Sequence, residues 1–293
     1  MLEQEASLLK KNIKIINIQD EPRVIIPVFS QNQLAWNDVM EGITKWRVWL
    51  LLAYQDIKLR YRRSILGPFW ITLSMAITIY SMGYLYGHLF RIPIQEYFPY
   101  LVAGMLGWSL LSTTINELVD TYSLSEIMLK QIKLPYSLYI HRIIAKNIII
   151  FFHNLLVIIP VIIFFHNDIK IDWHIFLLLP GLALIYLNAF AYGIVLAMIG
   201  ARYRDIPQIV KSLITVVFFI TPIMWKLDIL PPEKRFVVLL NPFYSFIELI
   251  RAPLIGYTPT LINFTMILMI TIIGMIISYF IFTSHRARII YWL

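Results

Sequence analysis

The sequence predicts an all-α polytopic membrane protein: six transmembrane helices, an N-terminal amphipathic interface helix, and re-entrant gate helices before the last span. Two observations carry this fold class. Five stretches contain no Asp, Glu, Lys or Arg, at 64–90, 97–116, 147–167, 173–201 and 252–285, and a sixth, 206–225, is broken only by Lys211. Each supplies the roughly 20 residues a helix needs to cross the hydrocarbon core. Helix is the expected form because a spanning segment must satisfy its own backbone hydrogen bonds. The second observation is charge asymmetry. Of 25 Lys and Arg, 19 fall in one alternating set of connections, from the N-terminal arm through 116–147 and 202–211 to the tail after His285. Basic residues collect on the cytoplasmic side, so both termini are expected there.

The elements follow in order. Residues 1–42 read as a polar cytoplasmic arm with at most one edge strand near 23–29, where Pro22 and Pro27 disfavour a central one. Residues 43–65 read as an interface helix. Trp46, Trp49, Leu50, Ala53, Ile57 and Tyr61 recur at spacings of three and four, while Asp56, Lys58, Arg60, Arg62 and Arg63 crowd its end. Gly67-Pro68 then turns the chain into the first span. The six spans are placed at about 66–90, 97–119, 143–166, 174–200, 206–225 and 260–284, with a tail at 286–293.

Between the second and third spans, 120–141 reads as a coupling segment. Ser123-Leu-Ser-Glu126 has the capping-box pattern that starts a short helix. Met128, Leu129 and Ile132 form one apolar face, and Pro135 ends the helix. Such a helix suits docking to a cytoplasmic partner or lying on the membrane. Residues 226–256 contain apolar runs too short to span, with Asn241-Pro242 marking a turn between them. They read as two half-length helices dipping into the outer leaflet.

Chemistry of the soluble-enzyme kind is missing from the sequence. It contains no Walker A, H-E-x-x-H or G-x-S-x-G pattern, and no His/Asp/Glu set with metal-ligand spacing. Without cysteine, disulfides and thiolate sites are excluded. The net charge of +8 follows from the topology signal and from a surface suited to anionic lipid, so no nucleic-acid role is expected. No apolar h-region follows Met1, so no cleaved signal peptide is expected. His153, Asn154 and Asn188 lie inside spans, where a helix–helix hydrogen bond is the ordinary role. Lys211 lies where it can snorkel to the cytoplasmic surface. Most aromatic residues serve as anchors and packing. Tyr80, Tyr84, Tyr86 and Trp108, towards the outer halves of the first two spans, are candidates to stack on sugars in a passage.

Four blocks then carry a family resemblance. These are Asp56-Ile-Lys-Leu-Arg-Tyr-Arg-Arg-Ser-Ile-Leu-Gly-Pro-Phe-Trp70, Lys130-Gln-Ile-Lys-Leu-Pro135, Arg202-Tyr-Arg-Asp-Ile206, and Thr221-Pro-Ile-Met-Trp-Lys-Leu-Asp-Ile-Leu-Pro-Pro232 with Asn241-Pro-Phe243. In this order, from about Trp46 onward, the chain resembles the membrane-spanning permease of ABC-2 type exporters for bacterial surface polysaccharides: O-antigen, capsule or teichoic acid. The resemblance implies a homodimer in the inner membrane with two separate ATPase subunits, which hold the ATP and Mg²⁺; this chain would carry no cofactor and no catalytic residue. It implies coupling through Glu126, Met128, Leu129 and Ile132, with a smaller contact through Arg202, Arg204 and Asp205. Asp228, Pro231, Pro232, Asn241 and Pro242 would belong to the external gate. The substrate would be a polysaccharide on undecaprenyl diphosphate. Arg60, Arg62 and Arg63 offer forked donors to its diphosphate, and the same residues suit ordinary anionic lipid. A drug or ion ABC permease is the nearest rival. A lipid-linked-sugar glycosyltransferase is more remote, since Arg91–Glu96 offers only Glu96 as a base.

Overall fold

The structure is a computed structural model, described over residues 13–14, 26–27, 30–60, 62–67, 69–165 and 172–293. The expected edge strand is described only at Ile26–Pro27, which pairs antiparallel with Ile13–Lys14. The remaining arm, Tyr61, Pro68 and residues 166–171 lie outside the described residues. Everything else with regular structure is helical.

The arm contains a helix that the sequence reading missed. α1 (Gln31–Thr44) starts at a capping box, with Ser30 Oγ accepting from Gln33 N at 3.2 Å and Gln33 Oε1 accepting from Ser30 N at 2.9 Å. The pattern Ser30-Gln-Asn-Gln33 was there to be read. α2 (Trp46–Arg60) follows almost without a break. Its expected membrane face divides: Ala53 and Ile57 are buried and Trp49 lies against His141, whereas Trp46, Leu50 and Tyr54 are exposed. One row packs on protein, and only the other is left for lipid. Arg63 and Gly67 then take left-handed backbone, at φ 68° and 54°, and the chain reverses into α3 (Phe69–Phe90).

Among the described residues, four helical stretches are long and apolar enough to cross a membrane: Ile94–Leu124, Tyr136–Phe164, Trp173–Arg202 and Leu261–Trp292. They contain α4 (Ile94–Leu124), α6 (Tyr136–Asn154) with α7 (Ile158–Phe164), α8 (Leu178–Arg202), and α12 (Leu261–His285) with α13 (Ile289–Trp292). The second stretch tightens to a 3₁₀ turn at Leu155–Val157, just before Pro160, whose missing N–H breaks the helical ladder. At Asp172 the carboxylate caps the next 3₁₀ turn; the His174 backbone N–H, and then its ring, hold that carboxyl below its ordinary pKa.

Two expected spans take a different form. α3 has 22 residues and no Asp, Glu, Lys or Arg, but its tyrosines and His88 dilute its apolarity. α9 (Ile206–Ile220) stops five residues short of the expected 225; its 15 residues span only about 22 Å. Pro222 disfavours helical backbone at Thr221, and 221–225 is irregular. The short coupling helix also differs. Ser123 belongs to α4, which continues to Leu124, and Ser125 caps α5 (Glu126–Gln131) without a side-chain bond, so the expected capping box does not form.

α4 is the central element, packed by α3, α6, α8, α9 and α11 (Pro242–Leu254). Ion pairs hold the two ends of the bundle. At the end where α1 meets the C-terminal tail, Asp38 is buried in α1. Its carboxylate accepts from Tyr136 N at 3.1 Å, Ser137 N at 3.0 Å and Arg286 Nε at 2.9 Å. One side chain thereby caps α6, fixes α1 and anchors the tail. At the same end Arg142 makes a two-pronged bond to Asp56 (2.8 and 2.6 Å), and Lys211 reaches Asp120 at 2.7 Å. At the opposite end Lys226 pairs with Glu96 at 3.0 Å.

Asp38→Ala leaves the Arg286 charge and two helix N-terminal amides without their acceptor. The purified protein should lose about 3–5 kcal/mol of stability, read as a lower thermal unfolding midpoint. Arg286→Ala, which leaves α6 capped, should cost less. A wild-type midpoint for Asp38→Ala would refute the role.

Candidate functional site

Three regions of the bundle could act: the irregular segment with its bent helix pair, the cation-rich end, and an uncovered polar face.

The bent pair consists of Pro232–Leu239, which includes α10 (Arg235–Leu239), and Pro242–Leu254, meeting at 88°. Asn241 makes the corner: its Oδ1 accepts from Phe243 N at 3.0 Å and its Nδ2 donates to Thr221 Oγ1 at 2.9 Å. Pro231 caps the 3₁₀ turn Pro232–Lys234, and exposed Asp228 pairs with Arg235 at 3.3 Å. Behind this corner, the carbonyls released by the irregular segment are taken by side chains. Tyr97 donates to Met224 O at 2.6 Å, Tyr100 donates to Pro222 O and Trp225 O, and Arg251 donates to Pro222 O at 2.7 Å. Arg251 is 1% exposed. It pairs with Glu248 at 2.8 Å and lies 3.9 Å over the Tyr100 ring. Gly104 makes room, since a Cβ there would come within 2.5 Å of the Arg251 guanidinium. The sequence reading treated Arg251 only as a topology count; its position among Ile250, Ala252 and Pro253 in an apolar helix was the available signal.

At the end where α1 meets the C-terminal tail, Arg60 lies on Glu117 at 3.4 Å and is half exposed, and Arg62 and Arg63 are exposed in the turn that follows. Arg60 shares Glu117 with Lys146, beside Arg142, two residues that the sequence reading passed over. On α5, Glu126 pairs with Lys130 at 2.6 Å. Leu129 is 6% exposed and packs in the chain's own core, and Met128 is half buried. The exposed apolar set is Leu124, Ile127 and Ile132. The expected face of Met128, Leu129 and Ile132 is thus divided, because Leu129 fills the space beneath α5. Arg202 lies between the rings of Tyr203 (5.1 Å) and Trp292 (5.4 Å), with Arg204 and Asp205 exposed in the same turn.

Of the four aromatic candidates, only Tyr84 is exposed. Tyr80 donates to Val157 O at 2.6 Å and Trp108 packs against Phe218 and Phe243, so both hold helices together. Tyr86 stacks on Phe90. A different surface is uncovered. α3 exposes Ser74, Thr78, Ser81 and His88, α4 leaves Ser109, Thr113, Asn116 and Asp120 incompletely covered, and α9 exposes Gln208, Lys211, Ser212 and Thr215. Each row follows spacings of three, four and seven, so each is one helix face. α4 packs against both other helices, and the Lys211–Asp120 pair joins two of the rows. The intramembrane Asn188 lies elsewhere and bonds across helices to Thr271 at 2.6 Å, whereas the His153 ring bonds within its own helix.

The profile of the ABC-2 type transporter family matches residues 47–255, from α2 through α11. The chain belongs to that family. It is 26% identical over 204 residues to an O-antigen export system permease protein RfbA of Myxococcus xanthus, covering 69% of this chain and 77% of the relative. Two proteins of the same name from Klebsiella pneumoniae are 22% identical over 236 residues, covering 78% and 89%, and 21% identical over 202 residues, covering 68% and 76%. As an ABC-2 membrane subunit the chain is a transporter component, and an ATPase partner follows from the family. The irregular segment, the bent pair and the short α5 all lie within the matched region.

Removing the Arg251 charge strands Glu248 and Pro222 O inside the protein. Arg251→Met should lower the unfolding midpoint by an amount equivalent to about 3–5 kcal/mol, and adding Glu248→Gln should recover part of it. A double variant no better than the single one would dismiss the pair.

Proposed function

We propose that this chain is the permease subunit of an exporter that moves O-antigen, built on undecaprenyl diphosphate, from the cytoplasmic to the outer face of the inner membrane. It works as a homodimer with two ATPase subunits, which bind the ATP and Mg²⁺. The names of the three relatives support the cargo, and the chain's lack of a Walker A motif supports a separate energy source. Six spans are assigned to α3, α4, α6 with α7, α8, α9 with its irregular extension, and α12. The bent α10–α11 pair is assigned as a re-entrant gate. The Arg286–Asp38 bond supports an even number of crossings, because at one end of the bundle it joins α1, which precedes the first span, to the tail that follows the last. That end carries most of the basic residues, which supports a cytoplasmic placement.

The uncovered polar rows on α3, α4 and α9 carry the reading. Polar side chains at membrane depth are costly against lipid tails and normally face a protein interior or water. Thr78, Ser212 and Thr215 spend their protons on carbonyls of the preceding turn, at 2.9, 3.0 and 3.1 Å. Their oxygens remain acceptors, and sugar hydroxyls are donors. A second copy facing these rows encloses a polar passage that no single chain can close. Tyr84, beside Ser81 and His88, adds a ring at its margin.

Thr78→Val and Thr215→Val keep shape and remove the acceptor. Together they should reduce surface polysaccharide about two- to tenfold at unchanged protein level, the scale of one hydrogen bond. Ile276→Val on exposed α12 should change nothing, and full export by the double valine variant would sink the passage. Coupling is assigned to Leu124, Ile127 and Ile132. Ile127→Asp with Ile132→Asp should abolish co-purification of the ATPase while the permease itself still folds. Retained complex would move the contact elsewhere.

A further inference from the structure

A cleft of about 250 Å³ opens between α2, α4 and α6 at the end where α1 meets the C-terminal tail, with Ile71 of α3 closing its side. Its polar wall carries Arg60, Arg142 and Lys146, which are opposed by two carboxylates. Asp56 is taken up by both prongs of Arg142, and Glu117 receives Lys146 at 2.8 Å, Asn147 at 2.7 Å and Arg60 at 3.4 Å. Three cations against two anions leave one positive charge, in a wall where the Arg142 and Lys146 side chains are only 18% and 11% exposed. A charge excess in such a place is weakly screened and attracts an anion strongly. Donors also remain: Lys146 and Arg60 each make one hydrogen bond or ion pair among the described residues, and each has more than one N–H to give.

The other wall is apolar, with Ile71 and Ile150 on the side of the spanning helices. One residue beyond Ile71, Thr72 donates to His153 O at 3.1 Å and joins α3 to α6, closing the cleft. Its volume of about 250 Å³ suits a headgroup. We propose that this cleft binds the phosphodiester headgroup of an anionic membrane phospholipid as a resident ligand, separate from the exported cargo. A phosphodiester carries a single negative charge and neutralises the wall; a lipid diphosphate carries more and overshoots it. The site lies beside the coupling helix: Leu124, Ser125 and Arg142 also line a second cleft, of about 320 Å³, bounded by Ile127 and Ile132. A bound headgroup thereby braces the segment assigned to ATPase contact. The proposal rests on the cytoplasmic placement of this end and not on the identity of the cargo.

The test uses the full-length purified permease, native mass spectrometry of retained lipid, and reconstitution in discs of phosphatidylglycerol or phosphatidylcholine. Wild-type protein should retain one phosphatidylglycerol and unfold at higher temperature in that lipid. Arg60→Gln, at a half-exposed position, should weaken retention roughly fivefold, the worth of one cation at the membrane surface. Lys146→Gln should do at least as much, and Arg62→Gln, outside the cleft, should retain lipid normally. Equal retention by Arg60→Gln and wild type, or equal loss in Arg62→Gln, overturns the proposal. Protection by inorganic phosphate alone, or displacement by a prenyl diphosphate at equal concentration, also overturns it. None of these readings depends on export, so failure here leaves the transport assignment standing.

Discussion

Peptide groups at membrane depth must find partners inside the protein, because lipid offers none. Helices meet this demand unaided; the stretch from Thr221 to Trp225 does not. Pro222 ends α9 early, and the carbonyls of Pro222, Met224 and Trp225 accept hydrogen bonds from Tyr97, Tyr100 and Arg251. Much of the architecture at that end follows. Arg251 must be buried to reach Pro222 O, so Glu248 must lie beside it, Tyr100 beneath it, and Gly104 must leave space for it. Asn241 ties the corner of the bent pair to Thr221. The bent pair is thus held by side-chain bonds to an irregular backbone.

The opposite end is built on charge. Asp38 joins three parts of the chain that are far apart in sequence, and Asp56 and Glu117 hold the interface helix to the core of the bundle. These pairs are partly or wholly shielded from water, so losing one partner is costly even though a single exposed pair contributes little. α5, the Arg202 turn and the tail all meet at this end. A force applied by a partner to α5 is therefore passed to α4 directly and to α2 through the Glu117 and Arg142 pairs.

Between the ends, the surface divides by chemistry. α12 shows apolar residues outward, as lipid requires. α3, α4 and α9 leave hydroxyl and amide rows uncovered, which suits water and sugar better than acyl chains. On the proposed reading such a face is half of a passage, completed by a second copy. Aromatic side chains contribute less to that face than their number suggests, because Tyr80 and Trp108 are occupied in joining helices.

Much of this was legible from the amino acids alone. Runs of apolar residues bounded by charge located the four long spanning helices, because hydrophobic length is a local property. The alternation of basic residues divided the connections into two sets, and the ion pairs of the structure respect that division. Asn241-Pro242 and the short runs around it marked the bent pair, and four ordered motifs pointed to the family. Tertiary structure decided what depends on neighbours. Leu129 faces inward because there is space under α5, and Trp49 rests on His141 because α2 lies along α6. Arg60 meets Glu117 because α2 ends beside α4. Helical spacing names the faces of a helix, but which face meets protein, lipid or a passage is set by the helices packed beside it.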